Sequence, residues 1–464
     1  MAQRESGHWP DCRVEVKSTV RRKTLKMKIK RTLLALVALP LLAAQFSTAF
    51  AQQVSFTNRT YHLGSFPESV AAADLNGDGR IDLIGAAVLD GTLTVLTNNG
   101  NGVFATNAIV SAGASLFCVA ATDVNADAKP DLIGVNQAPK TLTVLTNNGS
   151  GIMSSNATLH LDTSPNWVVA ADINGDNQPD LIAATTFTDT LTVFTNNGSG
   201  AFGSNATLNV GSYPYSVVAA DTRGTGRPDL ICANYNDNAL TVLTNDGSGN
   251  FRSNITYQVG SHPYCVTAAD LNGDGKPDLI SANSGDNTLT VLTNDGAGGF
   301  AVSATPGVGQ KPESVAVADV NGDGRPDLIS ADQLDDTLTV LTNNGSGGFG
   351  FNATLSVGAA PVSVIAVDLN ADGKRDLVCV NLGNNTLTVL INLTPFPPAP
   401  SLGIGSIGSQ QVAIFWPAGD TNYVLETSTN LSSSTWTRVT NGAPLIGVVL
   451  TNTAPSSFYR LSRP

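Results

Sequence analysis

Beyond residue 51 the apolar positions fall in short runs, bounded by Gly, Asn, Asp or Pro. Three early examples are Ser69-Val70-Ala71-Ala72-Ala73, Asp82-Leu83-Ile84-Gly85-Ala86 and Thr92-Leu93-Thr94-Val95-Leu96-Thr97. Runs this short, rich in Val, Thr, Leu and Ile and closed by turn residues, predict strands joined by short loops. No stretch of this region carries a helical period with caps. The third run has apolar residues on both faces, Leu93 and Val95 on one and Leu96 on the other, which predicts a sheet covered from both sides.

The pattern is periodic. Asp74-Leu75-Asn76-Gly77-Asp78-Gly79-Arg80-Ile81-Asp82 returns with its first Asp at Asp123, Asp172, Asp221, Asp270, Asp319 and Asp368, every interval being 49 residues. The first six copies add the turn Asn-Asn-Gly or Asn-Asp-Gly after the third run, and then a fourth run opened by Phe104, Met153, Phe202, Phe251, Phe300 or Phe349. Four strands per repeat of 40–50 residues is the signature of a propeller blade. An open solenoid would need capping units, and none is evident. The seventh copy stops after its third strand, Thr386 to Asn392, while a lone fourth-strand segment, Phe56 to Leu63, precedes the first copy. The expected fold class is therefore all-β: a seven-bladed propeller over residues 52–394, closed by its N-terminal strand, which removes an exposed sheet edge.

The recurring loop has oxygen ligands at its first, third, fifth and ninth positions, with a backbone carbonyl at the seventh, and a hard divalent cation such as Ca²⁺ takes this donor set. The spacing resembles the first half of an EF-hand loop, but position twelve is small and strands flank it. The predicted ligand sets are Asp74, Asn76, Asp78, Arg80 and Asp82; Asp123, Asn125, Asp127, Lys129 and Asp131; Asp172, Asn174, Asp176, Gln178 and Asp180; Asp270, Asn272, Asp274, Lys276 and Asp278; Asp319, Asn321, Asp323, Arg325 and Asp327; and Asp368, Asn370, Asp372, Lys374 and Asp376. The seventh-position residue serves through its carbonyl. Ala128 puts a strained residue at position six of the second loop, where Gly would turn freely. The fourth loop is broken by Arg223 and Thr225, so up to six calcium ions are expected and none in blade four. There the Arg223 guanidinium is expected between Asp221 and Asp229 as a tethered cation. The alternative is that these are ordinary Asp/Asn-Gly turns. Six acidic loops in register, each crowding three carboxylates, argue against it.

Charge supports this reading. The chain has 25 Lys and Arg against 37 Asp and Glu, and 10 of the bases lie in residues 1–51. The acidic remainder would repel phosphate backbones, which excludes nucleic acid as an expected partner. Basic Met27-Lys28-Ile29-Lys30-Arg31, an apolar run at 33–44 and Ala49-Phe50-Ala51 form a secretory leader, expected to be cleaved after Ala51, so the chain should be extracellular or periplasmic. Met1 and Met27 are both candidate translation starts. No membrane span is expected, and the protein should be a monomer. Cys118, Cys232, Cys265 and Cys379 fall in small-residue registers and read as buried thiols, although Cys232 and Cys265 lie in adjacent blades and a pair is conceivable.

These features resemble the FG-GAP/VCBS repeat of integrin-α-type propellers over residues 54–394. The metal loop carries the likeness; the Phe-Gly half survives in Phe202-Gly203 and Phe349-Gly350 but not in Phe251-Arg252. The resemblance implies a calcium-stabilised extracellular binding platform, in a family that includes adhesion receptors, lectins and the bodies of some polysaccharide lyases.

A catalytic cluster is not indicated. His62, His160 and His262 occupy different positions in the repeat, and no recognised nucleophile or zinc motif occurs. The repeats differ most in the loops opposite the metal loops, where Trp167, Phe187, Tyr213, Tyr215, Tyr235, Asp237, His262, Tyr264 and Asp286 suggest a surface for a glycan or an extracellular protein. The expected function is non-catalytic binding. A carbohydrate-active enzyme or a purely structural envelope protein is the alternative. After a stiff Pro-rich linker at 395–400, residues 401–464 read as a small β module, possibly fibronectin-III-like.

Overall fold

The chain is described by a computed structural model, which covers residues 52–395 except Ser346, a short strand at Val14–Val16, and the strands of the tail. It falls into two units, Gln53–Pro395 and a second made of the two chain ends.

The first unit is a seven-bladed propeller. Blade one is Pro67–Ala73, Asp82–Ala87, Thr92–Asn98 and Phe104–Ser111, hydrogen-bonded in that order. Blades two to six repeat it. Blade seven consists of Pro361–Val367, Asp376–Asn381 and Thr386–Asn392, with Phe56–His62 as its outer strand. That strand pairs antiparallel with Thr386–Asn392 from Phe56↔Asn392 to His62↔Thr386, so the N-terminal closure expected from the sequence is what the fold shows.

Burial explains the strand order. The second strand of every blade is buried along its whole length, whereas the outer strand is mostly exposed. The apolar core consists of seven separate clusters, one at each joint between neighbouring blades. Leu93 and Val95 feed the joint with blade two, and Leu96 the joint with blade seven, as the two-faced pattern of this strand requires. At the closing joint Tyr61 meets Phe104 edge-on, and Tyr257 meets Phe300 likewise between blades four and five. The Phe that opens a fourth strand is thus a contact to the preceding blade.

The tail strands Gly403–Ser406, Gln411–Phe415 and Gly447–Thr451 form one sheet; Val424–Ser428, Thr437–Arg438 and Ser457–Ser462 belong to another. Val14–Val16 pairs with Ser457–Tyr459 and extends that second sheet, a role the sequence did not suggest for the upstream segment. The leader reading at 27–51 and the linker at 396–400 lie outside the described residues. Among the described residues, no helix is long and apolar enough to cross a membrane.

Candidate functional site

The ring presents two kinds of loop, on opposite faces. On one face lie the acidic loops joining first and second strands. In all seven, including blade four, the first Asp accepts the backbone N–H of position six at 2.5–2.9 Å, which folds the loop around that carboxylate. In loop one Asp74 also accepts from Gly77 and Asp78, Asn76 from Asp78, and Asp78 from Arg80. The ninth-position Asp is fully buried in every blade. One of its oxygens accepts the N–H of the last residue of strand three, at 2.7–2.9 Å.

That last residue is always Asn, and its role was not legible in the sequence, where it reads as the start of a turn. Its amide Nδ2 donates to a carbonyl of the preceding blade at 2.7–2.9 Å: Asn98 to Leu369, Asn147 to Leu75, Asn196 to Val124, Asn245 to Ile173, Asn294 to Thr222, Asn343 to Leu271 and Asn392 to Val320. Every joint therefore carries one buried amide, held in place by the ninth Asp of its own blade. The signal was the invariance of the first Asn while its neighbour alternates between Asn and Asp.

The donor chemistry of the six intact loops fits a hard cation. Burial, and then repulsion from Asp78 and Asp74, push the carboxyl of Asp82 up; Asp131, Asp180 and Asp278 are raised in the same way. Burial lifts Asp327 to about 7 and Asp376 to about 6, with the carboxylates of their own loops adding to the effect. A bound cation would relieve this crowding. Among the described residues, no three carboxylate side chains converge closely enough to enclose an ion; the loop carboxylates instead accept backbone N–H groups. At position seven the side chains of Arg80, Lys129 and Lys374 lie beside the fifth-position Asp at 3.4–3.9 Å, leaving the backbone carbonyl as the group a cation would use.

Three of the six intact loops carry a left-handed residue other than Gly, the mildest being Asn177 at φ +63° in loop three. Ala128 takes φ +64° as expected, but Ala126 is also left-handed at +61°, and Ala371 in loop seven at +58°. Loop seven, close to ideal by its ligands, thus carries one strained alanine.

Blade four corrects one expectation. Arg223 does not sit between two side chains. Its guanidinium holds Asp229 with two hydrogen bonds, Nη2 at 2.8 Å and Nε at 3.2 Å, and donates to the Asn245 carbonyl at 2.7 Å. Asp221 remains on the loop backbone, at the N–H groups of Thr225 and Gly226. The reason is geometric: the fork of a guanidinium matches one carboxylate, and the buried one lacks other cations. Thr222 Oγ1 also donates to Asp229.

On the other face, the second residues of six of the seven first strands, Glu68, Phe117, Tyr215, Tyr264, Glu313 and Val362, line one shared pocket, which therefore lies at the ring axis, while Asn166 accepts from Gln137 Nε2 at 2.6 Å. Most of these, with Phe66, Tyr213, Tyr235 and Lys311, line a cavity of about 470 Å³. Tyr215 and Tyr264 are in hydroxyl contact, Tyr235 stacks on His262 at 4.5 Å, and Phe187 meets Tyr213 edge-on. Phe66, Tyr213, His262 and Lys311 all have φ of +53 to +61°, a costly conformation for large side chains. Each is held by its N–H on an Asn or Asp of the preceding blade: Asn385, Asp189, Asn238 and Asn287.

Of the predicted ligand face, the structure brings together Tyr213, Tyr215, Tyr235, Tyr264 and His262, with Phe187 at the edge. Asp237 and Asp286 are corrected: they accept the N–H of Ser212 and Ser261 and fasten their own loops. Trp167 is half-buried, packed into the joints on both sides of blade three. Glu68 and Glu313 were missed as a pair. Burial raises the Glu68 carboxyl to about 8, with Glu313 adding repulsion and Lys311 opposing it. Glu313 is also raised, by burial, against the pull of Lys311. All four propeller cysteines are free thiols, so Cys232 and Cys265 do not pair.

The fold is similar to that of BBS1N in complex with ARL6DN (11% identity, TM-score 0.54, covering 75% of this chain and 97% of that one). It is similar also to a protein from Lactobacillus plantarum (17%, 0.51, 64% and 86%) and a lectin from Agrocybe aegerita that recognises non-reducing terminal N-acetylglucosamine (20%, 0.48, 73% and 87%). At these identities the likeness speaks for the fold alone. No curated protein matches the sequence significantly. The FG-GAP-like repeat model matches at residues 74–134, 123–183, 172–232, 221–281, 270–330 and 319–379. With more than half the chain covered and the seven blades in place, the chain belongs to the FG-GAP-like repeat family.

Proposed function

We propose that this propeller is an extracellular, calcium-stabilised, non-catalytic platform that binds a glycan or protein ligand at its axial mouth. The observation that carries the reading is the cavity of about 470 Å³ ringed by Tyr213, Tyr215, Tyr235 and Tyr264. Flat rings with hydroxyl tips around a concave mouth suit stacking and hydrogen bonding to a ligand. The left-handed backbones that display Phe66, Tyr213 and His262 support it, since conformational cost held in place by neighbouring residues gathers at binding sites. On the opposite face Asp74, Asn76, Asp78 and Asp82 and their counterparts in five further loops hold Ca²⁺. The ion neutralises each acidic cluster and ties two strands of a blade.

The test is alanine at Tyr215 and at Tyr264, read by glycan array and by capture of extracellular proteins. Binding should be lost while the melting temperature stays close to that of the parent. Unchanged binding would retire the site. A second reading, a carbohydrate-active enzyme, draws on Glu68, a carboxyl raised to about 8 beside a second acid, as a general acid would be. A screen on acidic polysaccharides separates the two: product release that depends on Glu68 would favour the enzyme.

A further inference from the structure

Among the described residues, Glu313 at the axial mouth is the only acid with a buried oxygen that lacks a partner. Glu313 is 3% exposed, and its two oxygens have different fates. Oε1 takes the Lys311 ammonium at 2.8 Å. Oε2 is buried and has no hydrogen-bond partner. A buried carboxylate oxygen without a donor is costly, so this one is poised for a donor the chain does not supply. Glu68 lines the same space, two blades on around the ring, and the two carboxylates repel each other. Lys311 offsets only one of these charges, and its Nζ is shared with Gln333 at 2.6 Å.

Across the mouth from this acidic side stand Phe117, Tyr215 and Tyr264, with no cationic side chain among the residues that line their side of the cavity. Carboxylates on one wall and π-faces on the other are both attractive to a cation and indifferent or hostile to an anion. The site also holds an internal example of its own chemistry, because the Lys311 ammonium already occupies the other oxygen of Glu313.

We propose that the axial mouth recognises an alkylammonium group, with Glu313 Oε2 as its charge partner, Glu68 beside it, and Tyr215, Tyr264 and Phe117 as its aromatic wall. This rests on the reading of the mouth as the binding site and names the chemistry of the ligand. The group can come from a free organic amine or from a lysine side chain of a protein partner; both present the same positive charge on an apolar stem.

The experiment is calorimetric titration of the full chain, in calcium, with two primary ammonium ions, which can donate to Glu313 Oε2, against uncharged counterparts. Butylammonium is set against butanol, and Gly-Lys-Gly with an acetylated N-terminus and an amidated C-terminus against the same peptide acetylated also on Nε. At least one cation should bind, and its counterpart should bind tenfold more weakly or not at all. Glu313→Gln should weaken the cation at least tenfold without lowering the melting temperature, and Tyr264→Leu should weaken it while Tyr264→Phe does not. Binding of butylammonium assigns the source to a free amine; binding of the lysine peptide alone assigns it to a protein partner. Equal binding of a cation and its counterpart, an unchanged affinity in Glu313→Gln, or no cation binding up to about 10 mM would overturn the assignment. An uncharged glycan that binds in a Tyr215-dependent way while every cation fails would retire the ammonium and leave the platform standing.

Discussion

Blade four and its six siblings fold the same loop by two electrostatic routes. In all seven the first Asp gathers the backbone N–H of position six, and the ninth Asp is buried against the N–H of the strand-three Asn. In the other six the buried ninth carboxylate has no cation of its own: the position-seven bases of three loops lie against the exposed fifth Asp instead, and burial with repulsion from the loop's other carboxylates raises the ninth carboxyl. In blade four Arg223 delivers a permanent positive charge to Asp229, and the same hydrogen bond raises the guanidinium's own pKa further. The difference teaches how one buried carboxylate can be neutralised from within the chain. A covalently attached guanidinium satisfies Asp229 at any calcium concentration; on the proposed reading the other six draw their cation from solution.

The largest effect should come from removing the tether. Arg223→Ala leaves Asp229 buried without its cation and should cost about 3–5 kcal/mol, read by denaturant unfolding, and calcium should not restore it. The comparison sharpens if Arg223→Asn and Thr225→Asp are combined, which rebuilds the Asp-x-Asn-x-Asp pattern; that variant should regain stability in calcium but not in chelator.

Next in size is the amide between blades. Asn147→Ala removes the amide's bonds to the Pro130 and Leu75 carbonyls, of which Leu75 keeps the Gly151 N–H, and strands the Gly149 N–H; it should cost about 2–3 kcal/mol. Asn245→Ala in blade four should cost as much, since this joint does not depend on the source of the cation. A marked difference between the two would mean that the loop's cation, rather than the amide, holds the joint.

Asp332 gives a smaller effect of opposite sign. It sits where blades two, four, five and seven have Asn136, Asn234, Asn283 and Asn381. Burial raises it from 3.8 to about 6, against hydrogen bonds from Thr339 and Ser330. A raised folded value means that the contribution of this proton to stability is complete below about pH 4 and is lost as pH rises through about 6. Asp332→Asn should therefore stabilise by roughly 1–3 kcal/mol at pH 8 and by almost nothing at pH 4, as melting temperatures at the two values would show.

The smallest effect is expected from Ala128→Gly. Relief of a left-handed alanine, less the added freedom of the unfolded chain, should raise stability by about 0.5–1 kcal/mol. The same change in loop seven, Ala371→Gly, should behave alike, and a thermal shift assay suffices for both.

The architecture was legible because each blade writes its strands and turns into a fixed 49-residue frame, and because the unmatched ends of that frame are complementary. The acidic loops were legible for the same reason. What escaped depends on partners far along the chain. Asn147 reads as a turn residue, and only the fold brings it to Leu75, 72 residues away. Arg223 was correctly singled out, but its bidentate choice of Asp229 over Asp221 follows from burial, which no spacing encodes. Asp237 and Asp286 look like ligand groups in a variable loop, yet they close that loop on Ser212 and Ser261. Glu68 and Glu313 are separated by 245 residues and meet only because blades one and six flank blade seven. Their shared register was visible once the repeats are aligned: the column from Glu68 to Val362 holds large or charged residues, while the next, from Ser69 to Ser363, is mostly small.

The central claim is that six loops take their cation from solution and one carries its own. Native mass spectrometry of the purified chain in calcium, followed by chelation, tests it directly. The account predicts six bound calcium ions, with a sharp fall in melting temperature when they are removed. An ion-free protein that melts identically with and without chelator, or a seventh ion in the presence of intact Arg223, would contradict it.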